Sequence, residues 1–233
     1  MDSSAHSDLT GILKKTWLVI PLYNEGEVIF DVLTEVRRTF PNVICVDDGS
    51  EDNSGEKALA AGAWLATHPI NLGQGAALQT GIDFVLKKTD GKYLITFDSD
   101  GQHRVEDALE MLRTAEAEDL GFVLGSRFLN GKAETGTLKR LVLQTVAYIT
   151  RIRTGQVLTD AHNGLRLLRK DVAQNIEITQ NRMAHASELV DQLLKSGAKW
   201  KEIPVHIVYT AYSRAKGQSL LNGVNILTEL IMK

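Results

Sequence analysis

Five short apolar runs, TWLVIP, NVICV, AWLAT, KYLITF and GFVLGSRF, punctuate the chain between Thr16 and Phe128, and none alternates apolar with polar. A strand that is apolar at every position must be covered on both faces of its sheet. The stretches between them carry helical spacing instead. GEVIFDVLTEVRRTF places Val28, Ile29, Val32, Leu33 and Val36 on one face, and VEDALEMLRTAEAE does the same with Val105, Ala108, Leu109 and Leu112. SGEKALAAG reads as a helix with Asp52, Asn53 or Ser54 available as its cap, and GQGAALQTGIDFVLKK as a helix that starts from glycines. Strands alternating with helices require crossover connections, so the fold class is α/β, with one Rossmann-like, mostly parallel sheet flanked by helices. No repeat and no Pro/Gly/Ser-rich linker divides the chain. One catalytic domain is expected over residues 14–233, after a flexible tail at 1–13, and 233 residues suffice for one well-buried core.

In such sheets ligands bind beyond the carboxyl ends of the strands. The polar motifs fall there: PLYNE after the first run, DDGS after the second, NLGQG after the third and DSDGQH after the fourth. In the last, Asp98 and Asp100 stand two residues apart, which points both to one side of extended backbone. Two hard oxygen donors suit Mg²⁺ or Mn²⁺, with Gln102 able to add a carbonyl oxygen and His103 a ligand or a polar neighbour. Turn and capping roles account for such residues equally well when DSDG is taken alone. Asp47 and Asp48 could accept hydrogen bonds from a ribose or a base. Gly73 and Gly75 open a helix at which backbone N–H groups can approach an anion, or they serve close packing; neither GxGxxG nor a P-loop is present.

The balance of 26 basic and 29 acidic residues gives a formal charge of −3, which does not suggest a nucleic-acid partner. Cys45, the single cysteine, sits in an apolar run and reads as buried and inert. The polar N-terminus lacks the order of a signal peptide, and no apolar stretch approaches a spanning helix. The expectation is a cytoplasmic protein, soluble or peripheral to a membrane.

IPLYNEGEVI, VDDGSEDNS, NLGQGAALQTGI and FDSDGQH, in that order and spacing, together with GSRF, DAHNGLR, EIPVHIVY and SRAKGQS, resemble family 2 glycosyltransferases of the GT-A fold, in the dolichyl-phosphate mannosyltransferase-like subgroup. The resemblance implies an NDP-sugar donor (UDP-, GDP- or dTDP-sugar), a divalent cation, Mg²⁺ or Mn²⁺, and inverting transfer of a hexose to a polyprenyl phosphate. It carries Pro21, Tyr23, Asn24 and Glu25 to the lining of the nucleotide, and Asp48 to a carboxylate reading the base or ribose. Gly73, Gln74 and Ser99 fall with the donor-binding turns. Asp98 and Asp100 match the DxD pair at metal and diphosphate, and Gln102 a third ligand. Arg127 matches an arginine near the donor phosphates or the acceptor, and Arg214 with Lys216 a loop that closes over the diphosphate. The chain departs from the subgroup at Gln74 and Leu220, where basic residues are usual, and at Asn163, where Ser or Cys is. Many relatives carry transmembrane helices after this domain, whereas this sequence closes on LTELIMK.

The acceptor side leaves alternatives open. Lipid phosphate needs little general base, whereas a sugar hydroxyl needs one, for which Asp160 and Glu188 are candidates. His162 and His185 read as structural, and Arg166 as a partner for an acid. A saccharide or lipid-linked saccharide acceptor in surface-polysaccharide assembly is the alternative within the same chemistry. A phosphatase of the haloacid dehalogenase type and a nucleotide-binding subunit without turnover are the readings outside it. Two amphipathic stretches, LKRLVLQTVAYITRIR and LLNGVNILTELIM, are expected to contact anionic lipid at the cytoplasmic face or a membrane partner.

Overall fold

The computed structural model describes residues 9–129, 158–160, 162–182, 184–208 and 212. Seven strands form one sheet: β1 (Thr16–Leu22), β2 (Asn42–Asp47), β3 (Trp64–Thr67), β4 (Tyr93–Thr96), β5 (Phe122–Ser126), β6 (Arg166–Arg169) and β7 (Trp200–Pro204). The helices are α1 (Ile29–Arg37), α2 (Ser54–Ala60), α3 (Gln74–Lys88), α4 (Val105–Glu118), α5 (Lys170–Ala173) and α6 (His185–Lys195). The five runs read as strands and the four stretches read as helices all form as such. The spatial order is β3-β2-β1-β4-β6-β5-β7. β3, β2, β1 and β4 run parallel, as do β5 and β7, while β6 lies antiparallel between β4 and β5. Local sequence pattern does not anticipate the antiparallel strand. It arises because the chain returns from beyond the carboxyl edge, so the residues before Arg166 lie at the same edge as the ends of β4 and β5.

Each face carries its own core. Leu18, Ile20 and Ile95 pack with Leu33, Val36, Met111 and Leu112 of α1 and α4 on one side. Val19, Ile44, Val46 and Leu94 pack with Leu78, Ile82, Leu189 and Leu193 of α3 and α6 on the other. A fully buried Leu or Ile contributes about 1.5–3 kcal/mol, which is why strands apolar on both faces force this three-layer arrangement. Gly81 lets α3 settle on the sheet: a Cβ there would stand 2.3 Å from Val19 Cγ1. Cys45 is buried in the first core, and burial pushes its thiol up to about 12. Within the stretch expected as a tail, residues 9–13 are helical, and Ile12 and Leu13 pack against the first core.

Candidate active site

The turn after β1 is tied to the turn after β2. Asn24, at φ 52°, donates its N–H to Ser50 Oγ (3.0 Å), and its Oδ1 accepts from Glu51 N (2.9 Å). Glu25 N reaches Ser54 Oγ at 2.8 Å, and Gly26 N reaches Asp52 Oδ2 at 2.9 Å. Pro21 lies buried in β1, and Tyr23 is 43% exposed. Glu25 Oε2 accepts the hydroxyl of Tyr212 at 2.7 Å, joining positions 187 residues apart.

Asp48 is bonded through both oxygens. Its Oδ1 accepts from His68 Nδ1 (2.7 Å) and Leu72 N (3.0 Å), and its Oδ2 from Gly73 N (2.7 Å). The carboxylate expected to read a base or ribose thus also pins the glycine turn. The glycine amides are also committed: Gly73 N to Asp48, and Gly75 N to Asn181 O at 2.8 Å. A Cβ at Gly73 (φ +107°) would stand 2.2 Å from Asn181 O, and one at Gly75 2.1 Å from Gln180 O. These glycines admit the 180–181 backbone, so the anion-binding reading of their amides gives way to the packing reading.

Beyond β4, Asp98 Oδ2 accepts from His103 Nε2 at 2.8 Å, and Gln74 Nε2 lies 3.4 Å from Asp98 Oδ1. Burial opposes ionisation of Asp98, but His103, Arg166 and His185 together hold its carboxyl below the usual range. His103 is thus a buried partner that orients the carboxylate. Asp100 behaves oppositely: burial, then the charge of Asp98 and more weakly that of Glu25, push it up to about 6. Its Oδ1 accepts from Gln102 N at 3.0 Å, while Gln102 O accepts from Val208 N at 2.9 Å. Ser99 and Gln102 are both buried. A carboxylate whose proton affinity is raised by a neighbouring carboxylate marks a place where a cation is stabilised. Among the described residues no three His, Cys, Asp or Glu side chains converge tightly enough to hold a metal alone. Asp98 and Asp100 are hard oxygen donors of the type that Mg²⁺ or Mn²⁺ takes beside waters and phosphate oxygens.

Just past β5, Arg127 grips Asp160 as a fork: Nε to Oδ2 at 2.6 Å, Nη2 to Oδ1 at 2.7 Å, with Arg127 N to Oδ2 at 3.1 Å. Burial opposes the charge of Asp160, yet the guanidinium holds its carboxyl low, so the acid expected as a candidate base is found gripped by Arg127. Glu188 is likewise spent, accepting from Thr179 N (3.0 Å), Thr179 Oγ1 (2.5 Å) and Gln180 N (2.8 Å). Burial and the charge of Arg166 depress His162 and His185 to about 4, keeping both rings neutral. Arg166, 2% exposed, is the feature that sequence reading undervalues: among the described residues its Nη2 has no hydrogen-bond partner, and Asp98 and Asp160 are the acids acting on it. Gly164 also escapes sequence reading, though a Cβ there would meet the Asp98 carboxylate at 2.4–2.9 Å. Its signal is present in HNGLR but unreadable without knowing that Asp98 lies opposite. Arg214, Lys216 and Leu220 lie outside the described residues, as do both stretches expected at a membrane. Among the described residues no helix is long and apolar enough to cross one.

A GT-A sheet with a carboxylate pair beyond its fourth strand, and an arginine held by a buried acid at the same edge, defines a glycosyltransferase. The chain belongs to glycosyl transferase family 2, whose model matches residues 17–177. It is 29% identical to the UDP-N-acetylglucosamine–dolichyl-phosphate N-acetylglucosaminyltransferase of Methanococcus voltae, over 94% of this chain and 96% of that one. It is 30% identical to the polyprenol monophosphomannose synthase of Mycolicibacterium smegmatis, over 91% of this chain and 83% of that one. Its fold matches glucosyl-3-phosphoglycerate synthase of Mycobacterium tuberculosis, solved with Mn²⁺, UDP and glucosyl-3-phosphoglycerate, with a TM-score of 0.68 at 14% identity, over 100% of this chain and 85% of that one.

Proposed function

We propose that the protein transfers a hexose from an NDP-sugar to a polyprenyl phosphate, with inversion at the anomeric carbon. The carrying observation is the state of the acceptor-side acids. Asp160 is occupied by Arg127, and Glu188 by the 179–180 backbone, so neither carboxylate is poised to take a proton from a sugar hydroxyl. A phosphate acceptor is already anionic and needs no base. Its oxygen attacks the anomeric carbon, the bond from that carbon to the diphosphate oxygen breaks, and the NDP leaves with the electron pair. The names of the two relatives, one acting on dolichyl phosphate and one making polyprenol monophosphomannose, support this acceptor class.

Asp98 and Asp100, with Gln102 beside them, would hold Mg²⁺ or Mn²⁺, which supplies charge neutralisation for the departing diphosphate. Tyr23, Asn24 and Glu25 would line the nucleotide, and Arg127 would bind phosphate, its fork kept rigid by Asp160. Arg214 and Lys216 would close over the diphosphate and exclude water. The acceptor would be met at the cytoplasmic face, with the amphipathic stretches giving peripheral contact.

The test supplies UDP-, GDP- and dTDP-hexoses with Mn²⁺, and either undecaprenyl or dolichyl phosphate or free oligosaccharides. NDP release with formation of a lipid-phospho-sugar is expected in the lipid arm alone. Turnover with oligosaccharide and none with polyprenyl phosphate would overturn the reading in favour of a saccharide acceptor.

A further inference from the structure

His68 is joined at both ring nitrogens. Nδ1 lies 2.7 Å from Asp48 Oδ1 and Nε2 2.9 Å from Thr80 Oγ1. An ionised carboxylate only accepts, so Nδ1 donates, and in the neutral ring Nε2 accepts from the Thr80 hydroxyl. The side chains of His68 and Asp48 are 11% and 4% exposed, so neither can exchange these partners freely for water. Asp48 in turn takes the amides of Leu72 and Gly73. One imidazole therefore clamps the second turn of α3 to the turn that begins it. The next residue along that turn is Gln74, exposed, with its amide nitrogen 3.4 Å from Asp98 Oδ1.

We infer that His68 is a positioning residue of the donor site: through Asp48 it fixes the Leu72–Gly73 turn and so sets Gln74 against the carboxylate that faces the diphosphate. The inference rests on the donor reading above, but not on the identity of the acceptor. Gln74 takes the place where the resembled subgroup carries a basic residue, so this turn offers the diphosphate a neutral donor, and the value of that donor depends on where the turn stands. Without His68, Asp48 would keep two backbone donors and lose the bond that fixes its rotation about the α3 side. Gly73 sits at φ +107°, where glycine has no intrinsic preference to hold it, so the turn depends on the hydrogen bonds made to it.

The experiment measures UDP, GDP and dTDP binding in Mn²⁺ by calorimetry, with thermal unfolding in parallel. His68→Ala is expected to weaken binding of the preferred nucleotide by about tenfold, the low end of what loss of an orienting partner costs at a metal site. His68→Asn places an amide N–H where Nδ1 stands and is expected to recover most of that loss. Thr80→Val removes only the far hydroxyl and should weaken binding by about twofold to threefold, in line with one modest hydrogen bond. A merely structural role would lower the unfolding temperature and leave nucleotide affinity alone. Affinity of His68→Ala within twofold of wild type, or His68→Asn as weak as His68→Ala, overturns the inference. If His68→Ala does not fold, unchanged affinity in Thr80→Val overturns it. Wild-type protein that binds none of the three nucleotides overturns the donor reading itself and this inference with it, an outcome distinct from binding that ignores His68.

Discussion

Asp100→Asn should make the metal-free protein more stable while removing its activity. Folding places Asp100 beside Asp98 and Glu25 at a partly covered strand end, and its carboxyl rises from 3.8 to about 6. An acid whose proton affinity is raised by folding destabilises the fold once ionised. The penalty is absent below the unfolded value, grows from about pH 4 to about pH 6 and is constant above that. Two decades of proton affinity amount to about 2.7 kcal/mol. Screening at an edge that still meets solvent reduces this to about 1–2 kcal/mol. For a chain of this length that is a rise of roughly 2–8 °C in Tm. The assay is thermal unfolding of wild type and Asp100→Asn in EDTA at pH 7.5 and at pH 4. Asp100→Asn is expected to melt higher at pH 7.5, and most of the gap should close at pH 4, where the folded wild-type side chain is protonated. Other groups, including the buried histidines, titrate in this range, but they do so in both proteins and cancel in the difference. Adding Mn²⁺ with NDP should reverse the order, because only wild type gains the bound cation. If Asp100→Asn melts at or below wild type in EDTA at pH 7.5, Asp100 is not held against its neighbours' charge, and the cation site has been misplaced.

Gly164→Ala should reduce Mn²⁺-dependent NDP binding at least tenfold, as for a displaced metal-site partner, because its Cβ would stand 2.4 Å from Asp98 Oδ2; calorimetry checks it, and wild-type affinity would show that Asp98 can move without cost. Asp160→Asn should cost about 3–5 kcal/mol by breaking the buried ion pair with Arg127, seen in urea unfolding; full stability with lost turnover would instead support Asp160 as a base.

The sequence by itself determined the layers and the edge. Runs such as NVICV, apolar at every position, have no solvent face to offer, and VEDALEMLRTAEAE has one apolar stripe, so a covered parallel sheet with polar turns at one edge was legible from local pattern alone. The ordered motifs were specific enough to place Asp98 and Asp100 just beyond the end of β4. Tertiary structure decided which polar groups remain available there. Asp48, Gly73, Gly75 and Asp160 all read as able to meet a ligand, and each is claimed by a partner distant in sequence: Asp48 by Leu72 and Gly73, Gly75 by Asn181, Asp160 by Arg127; Glu188 is taken nearer by, by Thr179 and Gln180. A buried polar atom must find a partner or bear the cost of desolvation, and which partner it finds depends on what the fold brings within hydrogen-bonding reach. The antiparallel entry of β6 was invisible for the same reason: RLLR is too short to declare its direction, and only its place between β4 and β5 puts Arg166 and Gly164 against Asp98.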